Sequence, residues 1–171
     1  MKLCNIKITI FLKSDLFTRE RNSKKVIMRE DSLVFTSYHH TPSIINVTGI
    51  KSKSDITAVM ELLEAKYKVQ CDRYRIDSMM YSHRDKKRIK IDQILKVFDK
   101  ENGLYYIDYH PELFTGIFLK PIDRLYPTIN LFYTGSYQII GAKNFSIVDW
   151  CKKFVEELIA KCVGEKCIDL I

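Results

Sequence analysis

The sequence predicts an α+β fold in which one unit is written twice. Strand, three strands and an amphipathic helix follow in the same order in both parts of the 171-residue chain. The joints also repeat: "TGIKSKSD" (Thr48 to Asp55) is echoed by "IGAKNFSIVD" (Ile140 to Asp149), and "LVFTS" (Leu33 to Ser37) by "NLFYT" (Asn130 to Thr134). The offsets are 92 from Gly49 to Gly141 and 97 from Phe35 to Phe132. The repeats are assigned to residues 1–73 and 74–171. Two units sharing one antiparallel sheet, with the helices on one face, would leave the other face free for a ligand.

Each element has a local reason. "NIKITIFL" (Asn5 to Leu12) is rich in β-branched residues and reads as a strand. "KKVIM" (Lys24 to Met28), "DSLVFTSY" (Asp31 to Tyr38) and "SIINVTG" (Ser43 to Gly49) follow, separated by turn residues. "KSKSDITAVMELLEAKYKV" opens with capping residues and sets Ile56, Val59, Met60, Leu62, Leu63 and Tyr67 on one helical face. In the second part "YRIDSMMYS" (Tyr74 to Ser82) reads as a strand, and "KIDQILKVFDKE" (Lys90 to Glu101) as a helix with Ile91, Ile94, Leu95 and Phe98 on one face. "GIFLK" (Gly116 to Lys120), "TINLFYTG" (Thr128 to Gly135) and "YQIIGAK" (Tyr137 to Lys143) are strands in series. A last helix, "SIVDWCKKFVEELIAKCV", turns Ile147, Trp150, Phe154, Leu158 and Ala160 or Cys162 toward a core.

Composition narrows the function. With 46% apolar residues the chain supports an ordered core. The net charge of +7 divides as +5 for residues 1–85 and +2 for the remainder, a balance that suits a polyanionic partner such as nucleic acid. Five cysteines without C-x2-C spacing suggest neither zinc nor a disulfide framework, and a reduced, intracellular setting is expected. No apolar run approaches the roughly 18 residues of a transmembrane helix, so no membrane partner is expected. His39 and His40 stand beside Thr41 and Pro42 without triad or metal partners, and Pro111 keeps Asp108 and Glu112 off a shared helical face. An enzyme, a catalytic residue, a metal or a cofactor is therefore not expected.

The stretch "YHPELFTGIFLKP" (Tyr109 to Pro121), followed by "INLFYTGSYQIIGAK" (Ile129 to Lys143) and a long helix, resembles the second repeat of the TATA-binding protein core domain. That repeat reads Tyr-Glu-Pro-Glu-Leu-Phe-Pro-Gly, then an Ile-Phe-x-Ser-Gly hairpin, then Thr-Gly-Ala-Lys. "NIKITIFL", "VIMR" (Val26 to Arg29), "LVFTS" and "TGIKS" match the first repeat more loosely. The resemblance implies a TBP-like saddle, in which two pseudo-repeats share one curved antiparallel sheet with helices on the convex face. It implies a general transcription initiation factor that binds and bends double-stranded promoter DNA through the minor groove. In this family, Phe pairs wedge between base steps to kink the duplex.

By resemblance, Phe114 and Phe132 form the wedge of the second repeat, and Phe35 stands in the first with its partner position near Ser23. Asn5 matches a groove-reading Asn whose counterpart is Ser78, and Thr48 matches a groove-facing Thr whose counterpart is Ile140. Arg29, Lys51, Lys120 and Lys143 fall where basic side chains meet phosphates, contacts that position without reading sequence. Glu112 and Leu113 match a contact surface for a IIB-like transcription factor, with His110 in place of an acidic residue. Lys7, Asn46, Asn130 and Gln138 are polar where the family is aliphatic, which predicts an altered preference for TATA sequences. These changes also favour an alternative: a TBP-fold protein-interaction subunit of a transcription complex, with weak or no sequence-specific DNA binding and other transcription subunits as partners. The implied location is intracellular, at the nucleus or another site of transcription, or a viral factory if the source is viral.

Overall fold

The computed structural model describes residues 1–14, 25–85, 88–98 and 103–164. Among the described residues nine strands hydrogen-bond in the order β2 (Lys25–Glu30), β3 (Leu33–Tyr38), β4 (Thr41–Ile50), β1 (Lys2–Leu12), β5 (Cys71–His83), β9 (Tyr137–Ala142), β8 (Thr128–Phe132), β7 (Gly116–Pro121) and β6 (Tyr105–Asp108). By packing, the chain forms an N-terminal unit, Leu3–Met79, and a C-terminal unit, Met80–Ile171 with Met1–Lys2. This division and the repeat boundary read after Arg73 both lie within β5 (Cys71–His83).

The N-terminal unit holds β1 (Lys2–Leu12), β2 (Lys25–Glu30), β3 (Leu33–Tyr38), β4 (Thr41–Ile50) and α1 (Ser54–Tyr67). Strand alternation sorts its side chains. Ile8, Ile10, Phe35, Ile45 and Val47 are fully buried on one face, while Lys7 is exposed on the other. That buried face is the one under α1. Glu30, two residues beyond Met28 on the same side of β2, accepts hydrogen bonds from Lys66 Nζ and from Tyr67 Oη of α1 at 2.7 Å. The lysine's hydrogen bond, ahead of the tyrosine's, holds the Glu30 carboxyl below its ordinary range. Ile56, Val59 and Leu63 are buried on α1 at helical spacing, and Met60, Leu62 and Tyr67 lie at their flanks. The helix starts where Ser52 N–H donates to Asp55 Oδ2 at 3.0 Å and Asp55 N–H donates back to Ser52 Oγ at 3.2 Å, a reciprocal cap.

The C-terminal unit adds α2 (Ile91–Val97), β6 (Tyr105–Asp108), β7 (Gly116–Pro121), β8 (Thr128–Phe132), β9 (Tyr137–Ala142) and α3 (Phe145–Gly164). Ile117, Leu119, Ile129, Leu131, Tyr137 and Ile139 form one buried sheet face. Asn144 Oδ1 caps α3 by accepting Ile147 N–H at 2.8 Å. The buried stripe of α3 is Val148, Cys151, Val155, Leu158 and Cys162, so the face expected through Ile147, Trp150 and Phe154 is rotated. The aromatic pair is drawn aside by Tyr105, whose buried ring stacks on Trp150 at 6.4 Å and Phe154 at 5.5 Å while its hydroxyl donates to Pro127 O. Tyr105 and Tyr106 begin β6, a strand absent from the sequence-based expectation.

Candidate nucleic-acid interface

In the C-terminal unit, register fixes what the helix-free face carries. Leu119 pairs with Ile129 and Ile129 with Ile139 on the core side, so Phe118, Asn130 and Gln138, paired one step along, point the other way. Gly116 pairs with Phe132 on the same helix-free side. Phe114 folds back over this strand end, stacking on Phe118 at 4.3 Å and lying 5.2 Å from Phe132. Glycine is required below it: a Cβ on Gly116 would sit 2.4 Å from Leu131 O and 3.0 Å from Phe114 Cε1. Three half-buried rings therefore gather where two were expected. Phe118 was missed, although alternation in "GIFLK" already sets it opposite Ile117 and Leu119.

The loop before β7 is tied by side-chain and backbone contacts of His110. His110 Nε2 lies 2.8 Å from Asp108 Oδ1, and its Nδ1 lies 3.8 Å from Glu112 Oε1. Phe114 N–H and Leu113 N–H both donate to His110 O at 3.0 Å. Leu113 projects from this turn, 80% exposed. Lys120, expected to face phosphate, is ion-paired with Asp108, whose carboxyl is held down by Lys120 foremost and by His110. Lys143 is exposed just after β9.

The N-terminal unit differs. Phe35 pairs with Val47 and is fully buried on the α1 side, which removes it as a wedge. The reason lies in the hairpin. Gly49 and Gly141 share φ +93°, and when the two hairpins are aligned on them Val47 opposite Phe35 corresponds to Ile139 opposite Ile129. Phe35 is thus the counterpart of Ile129. Tyr38, paired with Lys25 as Phe132 is with Gly116, is the register counterpart of Phe132 and is 39% exposed. The partner position near Ser23 lies outside the described residues.

Arg29 is exposed on the helix-free side of β2 with Ile27, and Thr48 is half-buried on β4. Lys51 is exposed, its backbone N–H held by Asp55. Asn5 Oδ1 accepts Gly49 N–H at 2.9 Å, which takes one of its carbonyl's two lone pairs and fixes the side chain. Ser78 is half-buried within β5. Beside Thr9, sequence reading missed a charged group: Asp77 accepts from Thr9 Oγ1 at 2.6 Å and from Arg75 Nε at 3.0 Å. The guanidinium of Arg73 lies 4.9 Å from the centre of the Phe11 ring, and that of Arg75 lies 6.0 Å away.

No protein-family model and no curated protein sequence matches the chain. Among solved structures, Methanococcus jannaschii TBP superimposes with a TM-score of 0.70 at 16% identity, over 94% of this chain and 98% of that one. The chain has the TBP fold. The α+β, TBP-like class expected from sequence is therefore the one found. M. kandleri SerRS, solved in complex with A. aeolicus tRNASec, matches with a TM-score of 0.44 at 10% identity, over 99% of this chain and 32% of that one. The TBP-like fold gives the two helix-free faces comparable places in each repeat, and the chemistry on them is where the repeats part.

Proposed function

We propose that this chain is a TBP-like general transcription initiation factor that binds promoter DNA in the minor groove and bends it. The observation that carries this reading is the cluster of Phe114, Phe118 and Phe132 on the helix-free face of the C-terminal unit. Apolar side chains placed this way enter a base step and unstack it, at a cost of a few kcal/mol that the wider contact of a bent duplex offsets. Arg29, Lys51 and Lys143 supply phosphate contacts, with Asn5, Thr48 and Ser78 on or beside the groove. The exposed Leu113, with His110 and Glu112, forms the docking surface for a IIB-like partner, and no catalytic step belongs to the reading. The chain acts where transcription occurs.

Fluorescence energy transfer across end-labelled A·T-rich and G·C-rich duplexes, over a salt series, reports affinity, bend and phosphates neutralised together. A bent complex with the wild type, and loss of the bend with Phe114→Ala plus Phe132→Ala, is the expected result; an unchanged bend and affinity in that double variant sinks the proposal.

A second reading rests on Asp77, a carboxylate on the helix-free face of the N-terminal unit, where it would oppose a polyanion. In this reading a protein subunit of a transcription complex docks there. A 1:1 complex with such a subunit, and no duplex binding at low salt, would favour it.

A further inference from the structure

Asn130 stands in the middle of β8 with only 9% of its surface exposed. Its Oδ1 is buried and has no hydrogen-bond partner. A buried acceptor without a donor is costly, and such an atom calls for a ligand or partner. The residue lies on the helix-free face, between Phe118 and Gln138 across the two strand pairs and two residues before Phe132. It therefore sits inside the proposed groove-binding surface, against the aromatic cluster.

Minor-groove chemistry selects what can satisfy it. A·T and T·A pairs present only acceptors there, whereas a G·C pair adds one donor, the guanine 2-amino group. An acceptor on the protein meets repulsion over an A·T pair and a hydrogen bond over a G·C pair. Gln138, directly across the strand pair, adds a second amide beside it.

We infer that Asn130 is a guanine-reading residue: its side-chain carbonyl accepts from the 2-amino group of a guanine adjacent to the aromatic wedge, so the target carries a G·C pair there. This rests on the minor-groove reading above. In the free chain Asn130 lies across from Phe118 and two residues before Phe132 on the same face, so movement of Phe132 and Phe114 into a base step would open the surface around its oxygen. Binding then relieves a cost carried by the free protein.

The test walks a single G·C pair through an otherwise A·T duplex and reads affinity and bend by energy transfer. At the tightest position guanine is replaced by inosine, which lacks the 2-amino group, and in the parent duplex adenine is replaced there by 2,6-diaminopurine, which adds it. Wild type should bind the guanine and diaminopurine duplexes about tenfold more tightly than the inosine and adenine ones. Asn130→Val should show no such difference among the four duplexes. Equal affinity of wild type for all four duplexes, with bending intact, overturns the guanine-reading role and leaves the minor-groove reading standing. Absence of binding to every duplex overturns both. The wild-type comparison decides even if the valine variant folds poorly.

Discussion

In the C-terminal unit the helix-free face carries Phe114, Phe118 and Phe132 together with Asn130, whose Oδ1 has no partner, and Lys120 of β7 is tied to Asp108. In the N-terminal unit the corresponding face holds Asp77 between Thr9 and Arg75, and its Phe35 is turned inward beneath α1. The same fold repeat thus carries an aromatic, neutral surface once and a charged, hydrogen-bonded one once. A duplicated scaffold preserves backbone geometry, down to the shared positive φ of Gly49 and Gly141, while side chains on the ligand face are free to diverge. On the proposed reading, the cluster of Phe114, Phe118 and Phe132 makes the C-terminal unit the one that kinks the duplex.

The largest break in this comparison is between Phe35 and Phe132. Removing a fully buried Phe costs about 3–5 kcal/mol, so Phe35→Ala should depress the thermal midpoint strongly. Phe132→Ala, from a half-buried ring, should depress it less and abolish bending instead. Calorimetry beside the bending assay separates the two, and a stable Phe35→Ala that fails to bend would restore Phe35 as a wedge.

The glycines offer the next test. Both Gly49→Ala and Gly141→Ala force a side chain into positive φ, about 1 kcal/mol or more. A Cβ on Gly49 would also lie 1.9 Å from Ser32 O, whereas one on Gly141 meets nothing within 4 Å. Urea unfolding should therefore rank Gly49→Ala well below Gly141→Ala in stability; equal losses would show that dihedral strain alone governs both sites.

The smallest effect sharpens the electrostatic contrast. Asp77→Asn removes a negative charge from the N-terminal face and should tighten duplex binding by roughly threefold at low salt, fading as salt screens it. Weaker duplex binding in that variant would mean that the carboxylate serves the complex by holding Arg75.

Much of this was legible in the residues. β-branched runs and Gly-Lys joints marked eight strands and the three helices, and the Tyr109 to Pro121 motif led to Phe114 and Phe132. The Phe35 assignment failed because "LVFTS" was matched to "NLFYT" by similarity. That match slides the pairing by an odd number of residues, and in a strand of period two an odd slip exchanges the faces. Only the positive φ shared by two distant glycines corrects it. Phe118 was available from alternation, but Asp77 was not, because its partner Thr9 comes from a separate strand, 68 residues away. The orphan oxygen of Asn130 belongs to the same class: a polar residue in "TINLFY" is visible in sequence, while its lack of a partner is a property of packing.

Trp150 is the chain's single tryptophan, and it stacks with Tyr105 and Phe154 entirely within the C-terminal unit. Its intrinsic emission is consequently a one-sided reporter. A melting curve followed at that indole tracks the loosening of the ring stack, whereas circular dichroism sums over both repeats. Divergence of the two curves would reveal whether the duplicated halves come apart as one cooperative body or in sequence.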